Sequence, residues 1–131
     1  MTVWKMAIGS VATALLLVSC GGSSGDNGGQ SCSPTGGSTS GTATQTVKVV
    51  SDPNTIGKYD PATASAKVGD TVAWDFQDST GVQHSVSEDN GTFESCLQNS
   101  GAKFMVTFSK AGDFKYHCQI HAQMLGEIKV G

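Results

Sequence analysis

The sequence contains no arginine; its eight basic residues are all Lys, set against eleven Asp and Glu, and the formal net charge is -3. With no basic stripe to displace counterions from phosphates, nucleic acid is a poor candidate for a partner, and none is expected. Histidine is scarce too, at three (His84, His117, His121), and cysteine stands at four (Cys20, Cys32, Cys96, Cys118). Any centre that needs many imidazoles is therefore ruled out. Long apolar runs are missing: the one candidate, Met6 to Val18, is too short to span a bilayer comfortably. No stretch sustains an apolar period of 3.6 residues, which excludes a helical bundle. The 131 residues leave room for one modest domain and its appendages, not for a two-domain enzyme.

What is present falls into three segments. Lys5 precedes the apolar run, which ends in Leu17-Val18-Ser19-Cys20, small residues meeting a Cys where a signal peptide would be cut. These four residues resemble the bacterial lipobox, in which the Cys thiol is acylated and the segment before it removed. The resemblance implies a signal peptide over residues 1–19 and a lipidated mature N-terminus at Cys20. It also implies a lipoprotein anchored in a membrane outside the cytoplasm, on the periplasmic or cell-surface face. The alternative is an ordinary secretory signal with a fortuitous Cys. Residues 20–45 are dominated by Gly, Ser and Thr and cannot bury enough apolar surface to offset their ordering entropy. They read as a flexible linker, with an r.m.s. reach of about 25–30 Å.

From Thr46 onward, short apolar alternations separated by turn residues predict an all-β domain over residues 46–131. Val47 and Val49 flank Lys48; Val72, Trp74 and Phe76 share one face; Phe104, Val106 and Phe108 repeat the device. Phe114–Cys118 and Leu125–Val130 complete the set, and the one place for a short helix is Asp89–Ser100. Strands at this spacing suggest a Greek-key β-sandwich.

Chemistry concentrates in Tyr116-His117-Cys118-Gln119-Ile120-His121-Ala122-Gln123-Met124. Cys118, His121 and Met124, each three residues apart, place thiolate, imidazole and thioether on one tight loop. Structural zinc would want more Cys and no Met, whereas two imidazoles and a thiolate with a weak axial Met suit a blue copper centre. The second imidazole is assigned to His84, which follows the Trp74 strand and a polar loop. His117 alternates with Tyr116 and Cys118 and is expected to point away from the metal.

With these residues in place, the segment from about Val47 to Val130 resembles the small blue copper proteins, the cupredoxins. The Cys-x2-His-x2-Met loop is similar to that of amicyanin. Tyr59-Asp60-Pro61, Val68 to Trp74 and His84-Ser85-Val86 are similar to both amicyanin and plastocyanin. The resemblance implies one type 1 copper ion held by His84, Cys118, His121 and Met124, and a protein that transports single electrons and is not an enzyme. Its partners would be redox proteins of the same compartment, for example a cytochrome or a terminal oxidase, met transiently. His121, ringed by Ala122, Met124 and Leu125, would be the electron exit. The alternative function is copper handling outside the cytoplasm. If Cys20 is acylated and Cys118 binds copper, Cys32 and Cys96 remain, either as one disulfide or as two free thiols.

Overall fold

The computed structural model describes residues 31–131. The expected signal peptide, Cys20 and the first part of the linker lie outside the described residues. Within them the chain is all-β, and eight strands form two four-stranded sheets. The strands are β1 (Gln45–Asp52), β2 (Ile56–Asp60), β3 (Thr63–Ala66), β4 (Thr71–Phe76), β5 (Ser87–Glu88), β6 (Lys103–Thr107), β7 (Gly112–Cys118) and β8 (His121–Val130). One sheet runs β2-β1-β4-β6 and the other β3-β8-β7-β5. Both are mixed: β1 pairs parallel with β4, and β3 parallel with β8, while the remaining pairings are antiparallel.

The core follows from the alternation. Val47 and Val49 of β1 turn inward with Val72, Trp74 and Phe76 of β4 and with Phe104 and Val106 of β6. From the other sheet they meet Tyr116 and Cys118 of β7 and Met124, Ile128 and Val130 of β8. Trp74 packs edge-on against Tyr116, and Tyr116 edge-on against Tyr59. This aromatic contact ties the two sheets together directly beneath Cys118 on β7.

Two expectations differ from what is observed. Asp89–Ser100 forms turns and isolated bridges in place of a short helix. Its backbone groups are taken by neighbouring segments: Glu94 bridges Ser87 and Thr35, and Gln98 bridges His84. Positive φ at Gly91 and Cys96 breaks any helical run there. The second difference lies in the stretch read as linker. Its later part is laid along the sandwich as a strap that spans one open edge of each sheet. Thr35 exchanges two backbone hydrogen bonds with Glu94 (2.8 and 2.9 Å), which extends the β5 edge, and Ser38 exchanges two with Met105 (2.8 and 2.7 Å) on the β6 edge.

The strap needs no apolar side chains because backbone ladders and a covalent bond hold it. Gly36 crosses against the Thr92 carbonyl so closely that any Cβ would collide, and its φ of 67° is one that glycine adopts without strain. Cys32 and Cys96 are disulfide-bonded, with their Cα atoms 5.8 Å apart. Sheet edges left open invite pairing with other chains, and the strap covers one edge of each sheet.

Cross-linking positions 64 residues apart restricts the unfolded chain strongly. Replacing Cys32 with Ser is expected to lower stability by about 2–4 kcal/mol, read from urea unfolding of the variant beside the wild type. An unchanged midpoint would mean that the strap holds through its backbone ladders alone.

Candidate metal centre

The site lies at one end of the sandwich, where β7 turns into β8 and the β4–β5 loop crosses over them. β7 ends at Cys118 with a register shift after His117, and β8 begins at His121, paired with Cys118 across a two-residue turn. The turn therefore sets the Cys118 and His121 side chains side by side, with Sγ and Nδ1 3.5 Å apart. His84 comes from the other side, held through its backbone by two bonds to Gln98 (3.2 and 2.8 Å). Its Nδ1 stands 3.2 Å from that of His121. The donor atoms of His84, Cys118 and His121 all lie within 4.8 Å of one another.

His84 and Cys118 are each only 1% exposed, while His121 reaches partly to the surface. Met124 is fully buried on β8, three residues after His121 and within the same apolar cluster. His117 points away, as its position in β7 implies, and pairs with Asp89 at 2.8 Å on the surface. The expected site residues therefore divide cleanly: His84, Cys118 and His121 converge, Met124 is buried in the core on β8, and Cys32 and Cys96 are bonded to each other at a separate place. Cys20 lies outside the described residues.

Three residues that the sequence reading passed over build the surroundings. Ser85 links the two loops. Its N–H donates to Cys118 Sγ (3.4 Å), its Oγ accepts from the Gln119 N–H (2.9 Å), and its carbonyl accepts from the Tyr59 hydroxyl (2.5 Å). Hydrogen bonds to a thiolate sulfur stabilise its negative charge and tune any metal it holds. Gly57 of β2 lies flat against the His84 ring, and a Cβ there would stand within 3.0 Å of three ring atoms. Asp78, 2% exposed, places Oδ2 2.6 Å from His84 Nε2. Of these, Ser85 stood in the His84-Ser85-Val86 motif without a role assigned to it, Asp78 is the single acid of the polar loop between β4 and His84, and Gly57 left no signal.

The electrostatics follow from burial and these bonds. Burial pushes the Asp78 carboxyl upward, yet the hydrogen bonds from the Thr80 hydroxyl, the His84 ring and the Thr80 N–H outweigh it and hold the group below the ordinary carboxylate range. For His121, burial and then the neighbouring His84 ring push the imidazole below its usual value, against a smaller upward pull from Asp78. A neutral ring with a free lone pair is the form that ligates a metal. With Nδ1 of both rings facing Cys118, the His84 proton belongs on Nε2, where Asp78 accepts it. Two imidazoles, a cysteine sulfur and a thioether are a soft donor set suited to copper and poorly suited to Mg or Ca.

Ile56 is a further surprise. It is 57% exposed, has a φ of 71°, and sits beside Ile120, which is 53% exposed. Together with Ala122 these side chains surround His121 in a shallow depression rimmed by Asn54, Thr55 and Gln123. Met124 takes no part in this surface, contrary to the ring expected from sequence, because its place in β8 turns it into the core.

Comparison with known proteins agrees with the donor set. The family profile described as copper binding proteins, plastocyanin/azurin family, matches residues 45–131. Among solved structures, a reduced Cu(I) form of an amicyanin mutant is 25% identical over 66% of this chain and 82% of its own, with a TM-score of 0.54. A purple cupredoxin from Nitrosopumilus maritimus is 27% identical over 64% of this chain and 98% of its own, with a TM-score of 0.53. A Cu-containing nitrite reductase from Thermus scotoductus SA-01 is 25% identical over 65% of this chain but only 22% of its own, with a TM-score of 0.55. No curated protein sequence matches the chain.

The contact of Gly57 with His84 generates a direct test. Gly57→Ala should push the ring out of line and weaken copper binding about ten- to a hundredfold, measured by competition with a chelator. Far-UV circular dichroism should stay unchanged, because Gly57 sits at the end of β2 next to Ile56. Undiminished affinity would show that the ring has room to shift.

Proposed function

The chain belongs to the plastocyanin/azurin family of copper-binding proteins, and on that premise we propose that it carries single electrons between redox proteins outside the cytoplasm. Copper is its cofactor, and His84, Cys118, His121 and Met124 are the residues that would hold it. When bound, the ion supplies a one-electron Cu(II)/Cu(I) couple: one electron enters from a reduced partner and the same electron leaves to an oxidised one, with no bond to a substrate made or broken. The observation that carries this reading is the convergence of two Nδ1 atoms and one Sγ within 4.8 Å, fixed by strands and not by a mobile loop.

The residues divide the work. Ser85 and Gln98 hold the Cys118 turn and His84 in one arrangement, so the same donors serve both oxidation states with little movement. Burial of His84 and Cys118 excludes water and leaves no open position for a substrate, which favours an electron carrier over an enzyme. It also disfavours copper delivery, since the donors are withheld from a recipient. Only His121 reaches the surface, and the apolar ring of Ile56, Ile120 and Ala122 around it suits brief docking of a partner such as a cytochrome or a terminal oxidase. Encounters of this kind have small interfaces.

Cu(II)-loaded protein should be intensely coloured in the visible through the thiolate, and Cys118→Ala should abolish the colour. A variant that stays coloured would overturn the ligand assignment. Met124→Leu, which would remove a weak thioether donor, should keep the copper but raise the reduction potential by voltammetry; Met124→Gln should lower it. No change in either would leave Met124 as packing alone.

We further infer that the lipobox-like Leu17-Val18-Ser19-Cys20 anchors this carrier to a membrane. The native protein should fractionate with membranes, and Cys20→Ser should release it or leave it uncleaved and without lipid. Unmodified native protein in the soluble envelope fraction would count against the anchor.

A further inference from the structure

Asp78 poses a physical problem of its own. Its side chain is 2% exposed and both of its oxygens take up hydrogen bonds, the pattern of a carboxylate, yet among the described residues the one basic nitrogen within 4.0 Å is Nε2 of His84, at 2.6 Å. No Lys pairs with it. Its other oxygen accepts from the Thr80 N–H (2.8 Å) and hydroxyl (2.5 Å), both of which are neutral donors. A buried carboxylate without a cation costs several kcal/mol. Such a group persists where a positive charge nearby offsets it, and the adjoining site is built to hold one.

We propose that Asp78 is a charge-setting and positioning residue of the copper site, which acts through His84 to favour the oxidised state. The positioning half follows from the geometry. The carboxylate accepts the Nε2 proton, so Nδ1 is left bare and aimed at His121 and Cys118, the arrangement in which a second-shell acid fixes a histidine ligand. The charge half follows from a count. With Cu(II), the thiolate and Asp78, the formal charges sum to +2 - 1 - 1 = 0, and with Cu(I) to +1 - 1 - 1 = -1. A neutral residue at position 78 would shift these sums to +1 and 0. In a site shut off from water, the buried negative charge therefore penalises the reduced form selectively, and the reduction potential is held down. A surface acid would do this weakly and lose the effect in salt, whereas a buried one is little screened.

The inference rests on the copper reading above, and the test separates the two. Wild-type protein loaded with Cu(II) is first checked for visible colour; a colourless protein overturns the copper reading itself. Voltammetry is then run on wild type and Asp78→Asn at low and high salt. The Asn carbonyl can still accept from His84 Nε2, so the substitution removes the charge and keeps the bond to the ring; its amide NH2 then faces Thr80, whose hydroxyl can turn to accept, and the bond from the Thr80 N–H is given up. The expected result is a coloured variant whose Cu(II)/Cu(I) equilibrium moves toward Cu(I) by about tenfold or more, about 59 mV for a one-electron couple, equally at both salt concentrations. A coloured variant with an unchanged potential, or a shift that disappears in salt, overturns the proposal. If Asp78→Asn does not hold copper, Thr80→Val decides. It removes an exposed hydroxyl donor, leaves the carboxylate in place as a stronger acceptor, and should lower the potential; a rise or no change overturns the proposal.

Discussion

Everything in this structure serves one crowded contact: two imidazole nitrogens 3.2 Å apart with the Cys118 sulfur 3.5 Å from one of them, in an interior largely closed to water. With both nitrogens bare to receive a metal, their lone pairs would repel, and burial withdraws the water that would otherwise separate them. Such an arrangement persists only if the backbone leaves the side chains nowhere else to go. The two-residue turn between β7 and β8, the Gln98 clamp on His84, the Ser85 link and the flat face of Gly57 each remove one such escape. The sandwich is the frame that makes the contact affordable, and Trp74, Tyr116 and Tyr59 brace it from below.

The same view explains why the site divides into an inner and an outer half. His84 is wrapped by β2, Asp78 and the Gln98 segment, so its proton and orientation are settled within the fold. His121 is exposed on one side to Ile56 and Ile120, residues whose apolar surface stays in water in the free protein. Ile56 holds a backbone conformation that a β-branched residue seldom adopts, which costs on the order of 1–3 kcal/mol. Asp52 helps to hold it there, accepting from the N–H groups of Asn54 and Thr55 at the head of the turn.

How much of this could be read from the sequence follows from how far apart the partners lie in the chain. Cys118, His121 and Met124 are legible because three donors sit within seven residues, and His84 because so few histidines compete for the role. Val47, Val49, Val72, Trp74 and Phe76 announce their strands by alternation. β2, β3 and β5 go unseen, since they are short and, unlike β6, show no alternation of large apolar side chains, and they draw their existence from pairing with distant neighbours. Gly57 and Asp78 escape for the same reason: one is a glycine without a side chain to notice, the other an acid whose importance depends on a ring six residues away in a folded loop. The strap escapes because composition reports the burial a segment can supply by itself, and Ser31–Thr44 draws on a disulfide and two sheet edges supplied by others.

That strap also determines how the molecule would carry a mechanical load. Tension applied to the chain ahead of Cys32 passes through the covalent bridge into Cys96, bypassing Thr35, Ser38 and the whole of β1. From Cys96 the next firm attachments are the Ser95 bonds to Val86 and, two residues on, the Gln98 bonds to His84. The line of force thus enters the fold beside the inner imidazole, and the strap's weaker ladders are sheltered from it. Reduction of the bridge would reroute the same pull through the edge ladders, which would then peel one bond at a time.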